Sequence, residues 1–120
     1  MKILFATGGT AGHINPALAV ASYIREKYPD SEILFVGTAD HMESRLVPNA
    51  GFDFKTIKIS GFRRSFAPKA IMHNIKTVCQ LVTSNSACKK IIKDFKPDVA
   101  VGFGGYVSGP VLQTAVSMHI

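Results

Sequence analysis

Two stretches of this sequence combine residue types at spacings that can do chemistry. The first is Gly8-Gly9-Thr10-Ala11-Gly12-His13, three glycines in five positions followed by one imidazole. The second is Gly104-Gly105-Tyr106-Val107-Ser108-Gly109-Pro110. Glycine lets a backbone take positive φ and approach a ligand closely. A helix that follows such a loop offers free N–H groups and the positive end of its dipole, suited to phosphate or another anion. The first loop is not the dinucleotide fingerprint G-x-G-x-x-G, because position 10 is Thr, and no Gly-Lys-Ser/Thr follows as in a P-loop. His13 stands where such loops carry a small residue or a lysine. Its imidazole can act as a general base or polar contact, or it can merely hydrogen-bond the loop. One glycine loop alone is equally a plain strand-to-helix turn. Two on one sheet edge suggest a cleft that receives a diphosphate or sugar phosphate.

The elements that must position these loops are marked by period and punctuation. Lys2–Thr7, Glu32–Gly37 and Asp98–Phe103 are short apolar runs that read as buried strands, and Asp53–Ile59 alternates as a strand does. Asn15 is a good N-cap and Pro16 a good first residue for a helix whose Leu18, Ala21 and Ile24 oppose Arg25, Glu26 and Lys27, until Pro29 stops it. Asp40 followed by Glu43 predicts a capping box before a short helix ending near Pro48. Residues 60–68 read as a loop, 69–83 and 85–95 as helices or one broken helix, and Val111 to the end as a last helix. Strand–helix alternation with apolar strands predicts an α/β fold, a Rossmann-like parallel sheet covered on both faces. Both glycine loops then lie beyond the carboxyl ends of strands, where such sheets bind ligands.

A chain of 120 residues suits one domain. Residues 1–54 carry four Lys/Arg and six Asp/Glu, a balance of −2, whereas 55–120 carry ten and two, a balance of +8. That asymmetry fits an anionic partner or simply a solvated basic face. Nucleic acid would rest on charge alone, since no recognition motif or aromatic platform accompanies it, and none is expected as a partner. Cys79 and Cys88 join no histidine cluster, which reads as free thiols in a reducing cytosol with no metal site, and no cofactor is implied. The uncharged stretch Ile3–Ser22 is interrupted by Gly8-Gly9, His13 and Asn15-Pro16, so it does not read as a signal peptide. No apolar run approaches the ~18 residues of a membrane span. His41, His73 and His119 receive no role, and Asp98 reads as a strand-entry residue.

In the middle of the chain, Ile71, Ile75, Val78 and Val82 share one helical face, with Met72 and Cys79 beside it. Lys69 and Lys76 flank that face, Arg63 and Arg64 precede it, and Lys89, Lys90, Lys93 and Lys96 follow. Two readings stand. The stripe packs on the sheet with its lysines in water, or it inserts shallowly into an anionic leaflet, where each basic residue would add about 1 kcal/mol.

In this order, GGTAGHINPALAV, VGTADHMESRLVPNAGF, ISGFRR and FKPDVAVGFGGYVSGPV resemble the N-terminal domain of the MurG family of bacterial transferases, over essentially the whole chain. The resemblance implies a GT-B fold, two Rossmann-like domains facing across a cleft. It implies metal-independent, inverting transfer of N-acetylglucosamine from UDP-GlcNAc to lipid I (undecaprenyl-diphospho-MurNAc-pentapeptide), giving lipid II for peptidoglycan. Residues 1–120 would then be an incomplete N-terminal acceptor-binding domain, lacking the C-terminal donor domain of the same enzyme and inactive alone. By the same resemblance His13 is the catalytic base, and Thr10, Ala11, Gly12 and His13 reach the donor. Gly9, Gly12, Gly104, Gly105, Tyr106, Ser108 and Gly109 would hold the acceptor diphosphate. Ile71, Met72, Ile75, Val78 and Val82, with Arg63, Arg64, Lys69 and Lys76, would form a patch on the anionic inner leaflet, making the protein peripheral at the cytoplasmic face of the cell membrane. Ala11 departs from the glycine often found there. Two alternatives remain: a GT-B transferase with another lipid or glycoside acceptor, disfavoured by ISGFRR and GGYVSGP, and a nucleotide- or sugar-phosphate-binding Rossmann module, disfavoured by the missing fingerprint and ribose-binding acid.

Overall fold

The computed structural model describes residues 1–58, 72, 74, 75 and 86–120. Its elements run β1 (Lys2–Ala6), α1 (Ala11–Lys27), β2 (Glu32–Gly37), α2 (Glu43–Asn49), β3 (Asp53–Thr56), α3 (helical residues 86–95), β4 (Val99–Gly102) and α4 (Ser108–Ser117). The strands form one parallel sheet in the order β3-β2-β1-β4. Leu4 of β1 is in register with Leu34 on one side and Ala100 on the other.

β1 is central and covered on both faces, which is why its sequence is a continuous apolar run and not an alternation. Successive side chains divide between two cores. Ile3 and Phe5 pack with Ile33, Phe35, Ala17, Ala21 and Val47 on the α1–α2 side. Leu4 and Ala6 pack with Leu34, Val36, Ile92, Val111 and Ala115 on the α3–α4 side. The Phe5 ring stacks on Phe35 at 5.0 Å and on Phe103 at 5.7 Å between centroids. Each such ring removed from water contributes about 2–3 kcal/mol. Fully buried Ala17 and Ala21 let α1 lie close on the sheet, and the expected stripe is shifted accordingly: the buried line is Ile14, Ala17 and Ala21, with Leu18 and Ile24 half-buried.

Several boundaries differ from expectation. α1 begins at Ala11, inside the glycine loop, and not at Pro16. Thr10 is its extended N-cap (φ −129°, ψ 156°), and the Thr10 carbonyl accepts from both His13 N and Ile14 N at 3.1 Å. That places the N-cap five residues before Asn15. Pro16 is carried within the helix on an exposed face, where the carbonyl it cannot serve stays open to water. α2 has Met42 at its N-cap and no side-chain cap, because Glu43 is turned into the interior. α4 starts at Ser108, three residues before the expected Val111. β3 and β4 are shorter than expected, and β4 is only half-covered because, among the described residues, it pairs on one side alone. Asp98 enters β4 as expected: its N–H donates to the Lys2 carbonyl at 2.7 Å, and its carboxylate accepts from Lys2 N–H at 2.8 Å. The expected helix over 85–95 is present from 86. The expected loop 60–68 and helix 69–83 lie outside the described residues, apart from helical 72, 74 and 75.

From β1 the chain winds outward through β2 to β3, then returns through α3 to β4 on the other side of β1. The direction of winding therefore reverses between β1 and β4, the crevice where doubly wound sheets bind ligands.

Candidate functional site

Ala6 and Gly102, the last residues of β1 and β4, are register partners, so the two glycine loops leave the sheet side by side at that crevice. The loops interlock. Gly105 (φ 86°) presses on the Gly8 carbonyl so closely that no side chain fits between them. Gly104 (φ 102°) lies against the His13 ring, where a Cβ would sit 2.7 Å from Cδ2 and 2.9 Å from Nε2. Glycine is required at both positions twice over, by backbone conformation and by space.

The fold sets the chemistry of His13. Its Nδ1 lies 3.3 Å from the Gly8 carbonyl oxygen and 3.5 Å from Thr10 Oγ1. A carbonyl can only accept, so Nδ1 carries the proton in the neutral ring and Nε2 is left as a lone-pair acceptor. That is the state a general base needs.

Glu43 is the buried anchor beneath the first loop. It is 0% exposed, and it accepts from Gly9 N–H at 3.3 Å, Thr38 N–H at 3.2 Å and Thr38 Oγ1 at 3.3 Å. Thr38 Oγ1 also lies 2.7 Å from His41 Nδ1. The three walls enclose a cleft of about 440 Å³: Gly8, Gly9, Thr10 and His13 from the first loop; Thr38, His41 and Glu43 from the β2–α2 turn; and Gly105, Tyr106 and Val107 from the second loop.

Of the residues singled out from sequence, Gly9, Thr10, His13, Gly105 and Tyr106 come together in this cleft, and Gly104 braces His13. Tyr106 is 65% exposed, leaving its ring open to a ligand. Ala11 and Gly12 fall on the first turn of α1, and Gly109 on that of α4, outside the cleft lining. Ser108 is buried and its hydroxyl serves the fold: Oγ accepts from Gly104 N–H at 3.0 Å and faces the carbonyls of Gly104 (2.8 Å) and Ala6 (3.0 Å). It shapes the second loop from below. Met72 and Ile75 are 63% and 53% exposed. Ile71, Val78, Val82, Arg63, Arg64, Lys69 and Lys76 lie outside the described residues.

Thr38, His41 and Glu43 were missed from sequence. The available signal was position: GTADHME follows a buried strand at the same sheet edge as the glycine loops. The capping-box pattern of Asp40 and Glu43 offered a sufficient local explanation that the structure replaces. Among the described residues no three His, Cys, Asp or Glu side chains converge as metal ligands, and no helix is long and apolar enough to cross a membrane.

A doubly wound sheet with interlocked glycine loops and an imidazole at its reversal point defines an α/β half-domain with a cleft at its switch point. Residues 3–120 match the model of the glycosyltransferase family 28 N-terminal domain, and the chain belongs to that family. It is 49% identical over 120 residues to a Lactococcus lactis subsp. cremoris protein named UDP-N-acetylglucosamine--N-acetylmuramyl-(pentapeptide) pyrophosphoryl-undecaprenol N-acetylglucosamine transferase, covering all of this chain and 32% of the relative. A relative of the same name from Acetivibrio thermocellus is 50% identical over 120 residues, with 31% of its length covered. The crystal structure of Acinetobacter baumannii MurG superposes with a TM-score of 0.77 at 27% identity, covering 99% of this chain and 33% of that one. The parallel α/β sheet is thus the fold of a GT-B N-terminal half-domain. The chain spans about a third of the length of the relatives it matches.

Proposed function

We propose that this chain is the acceptor-side domain of a transferase that moves N-acetylglucosamine from UDP-GlcNAc to lipid I, forming lipid II. The observation that carries the reading is the cleft at the β1–β4 reversal, where two interlocked glycine loops meet the His13 ring, whose Nδ1 is held by the Gly8 carbonyl so that Nε2 is the acceptor nitrogen. It stands in a chain matched end to end by transferases of that name.

In this mechanism the acceptor diphosphate lies along Gly9, Gly105 and Tyr106, with Gly104 and Ser108 holding the second loop's shape. Thr10, Ala11 and Gly12 face the donor from the head of α1, whose dipole favours its phosphates. His13 Nε2 takes the proton from the acceptor hydroxyl as that oxygen bonds to the anomeric carbon, and UDP departs with the electron pair of the broken bond. A C-terminal domain of the same enzyme supplies most of the donor site, so the 120 residues alone do not catalyse transfer. The exposure of Met72 and Ile75 supports docking of the basic middle segment on an anionic inner leaflet at the cytoplasmic face. Co-sedimentation with anionic vesicles that weakens with salt is the expected outcome there.

The reading is tested by titrating the isotope-labelled chain with a soluble lipid I analogue and, separately, with UDP-GlcNAc, following amide shifts. Shifts at residues 104–109 and around Gly12 with the lipid I analogue, and weak ones with UDP-GlcNAc, are expected. A strong response to UDP-GlcNAc alone would make the cleft a nucleotide site and overturn the acceptor assignment.

A further inference from the structure

The cleft holds a second imidazole that the transfer step leaves unused. We propose that His41 is a ligand-contacting residue whose Nε2 accepts a hydrogen bond from a hydroxyl or amide N–H of the bound sugar diphosphate, and that Thr38 and Glu43 hold the ring in the state able to do so. This rests on the reading that the cleft receives such a ligand.

Glu43 is a fully buried carboxylate and only accepts hydrogen bonds. Its Oε2 lies 3.3 Å from Thr38 Oγ1, and Thr38 has one hydroxyl proton to give. If that proton went to His41 instead, hydroxyl lone pairs would face a buried anionic oxygen with nothing between them. Donation to the carboxylate is the charge-assisted, stronger choice. The 2.7 Å contact between Thr38 Oγ1 and His41 Nδ1 must then be donated by the imidazole. The neutral ring therefore carries its proton on Nδ1, and Nε2 is a lone-pair acceptor with no protein partner among the described residues.

Position supplies the rest. His41 lines the same cleft as His13 but rises from the β2–α2 turn, a different wall from either glycine loop. A neutral acceptor at that point repels phosphate oxygens and selects groups that donate. The ligand's diphosphate would thus stay beside the glycine loops, while its sugar hydroxyls or amide turn toward His41.

The test has two arms on the full 120-residue chain. The first records the imidazole nitrogens by long-range proton–nitrogen NMR without ligand, at about pH 8 where an ordinary imidazole is neutral. His41 is expected in the Nδ1–H form, moving toward the Nε2–H form in Thr38→Val. A wild-type ring in the Nε2–H form overturns the proposal. The second titrates a soluble lipid I analogue and, separately, UDP-GlcNAc. The ligand that shifts Gly105 and Tyr106 is expected to shift His41 Nε2 as well. His41→Ala should weaken it about tenfold, and His41→Gln, which can place an acceptor oxygen near the Nε2 position, should recover part of that loss. Shifts at Gly105 and Tyr106 with His41 Nε2 unmoved and His41→Ala binding as wild type sink the proposal and leave the functional reading standing. No shift in the cleft with either probe overturns both.

Discussion

Replacing Glu43 tests the geometry at the base of the cleft more directly than replacing any residue that faces the ligand. Its carboxylate is 0% exposed and receives three donors, Gly9 N–H, Thr38 N–H and Thr38 Oγ1–H, at 3.2–3.3 Å. Glu43→Gln keeps the shape and one acceptor oxygen. That oxygen can serve the two Thr38 donors, but the new amide group then points its own hydrogens at Gly9 N–H. A bond to a charged group is worth about 1.5–3 kcal/mol, and at 3.3 Å the lower end applies, so a loss of about 1–2 kcal/mol is expected. An opposing effect must be weighed. Removing a buried charge relieves its desolvation, and a buried ion whose partners are poor is often replaced at no cost. Gly9 N–H decides the sign here, because it is the one converging donor that the amide cannot serve. Glu43→Ala abandons all of them and should cost about 3 kcal/mol or more. Urea unfolding of the 120-residue chain, followed by circular dichroism, reads both. With slopes of about 1–3 kcal/mol per molar urea, the Gln midpoint should fall by on the order of 1 M. A Gln variant as stable as wild type, with the Gly9 amide resonance unshifted, would refute the claim that this carboxylate holds the first loop.

Further outcomes follow from the same contacts. Gly104→Ala strains a residue at φ 102° and drives a methyl into His13, whereas Gly105→Ala drives one into the Gly8 backbone. In a His13→Ala background the first should therefore recover about 1 kcal/mol of its cost, as measured by a double-mutant cycle in urea. Thr7 Oγ1 is buried with no hydrogen-bond partner among the described residues, so Thr7→Val should leave the fold intact and raise unfolding stability by about 1 kcal/mol. Burial pushes the Cys88 thiol up to about 11, opposed in part by a hydrogen bond with Thr114, so iodoacetamide should label Cys88 only as fast as the chain opens. Because the folded state holds this proton more tightly than the unfolded chain, its contribution is fully present below the unfolded thiol's value. It is lost as pH rises from about 9 toward 11, and stability should fall across that window.

What could be read before the structure depended on whether the deciding contacts were local. The buried strands were legible because burial on both faces writes itself as an apolar run, as in residues 2–6 and 32–37. The glycine loops were legible because close approach removes side chains. The start of α1 was not, since Asn15-Pro16 satisfies every local rule for a helix entry, while the actual first turn is closed by the Thr10 carbonyl in the middle of the loop. Glu43 was misplaced for a related reason. Its spacing from Asp40 fits a capping box, whereas in the structure the carboxylate turns inward to Thr38, five residues back, and to Gly9, 34 residues away in sequence. His41 received no role from sequence, and it is exposed; what makes it part of a site is the cleft it shares with His13, which no periodicity records.

The two imidazoles are tied to the fold through the same nitrogen but by different means, and the difference bears on how the cleft responds to change. His13 Nδ1 meets the Gly8 carbonyl, the same carbonyl against which Gly105 is wedged. Any displacement of the second loop therefore moves the partner that fixes the His13 ring. His41 Nδ1 meets the Thr38 hydroxyl, which is anchored on Glu43, and Glu43 also grips Gly9 beside that carbonyl. Glu43 thus sits where the supports of both rings meet without itself having to touch a ligand. Its loss should disturb both imidazoles at once, whereas Thr38→Val should disturb His41 and leave His13 as it was. Imidazole spectra of those two variants, compared side by side, separate a shared support from two independent ones.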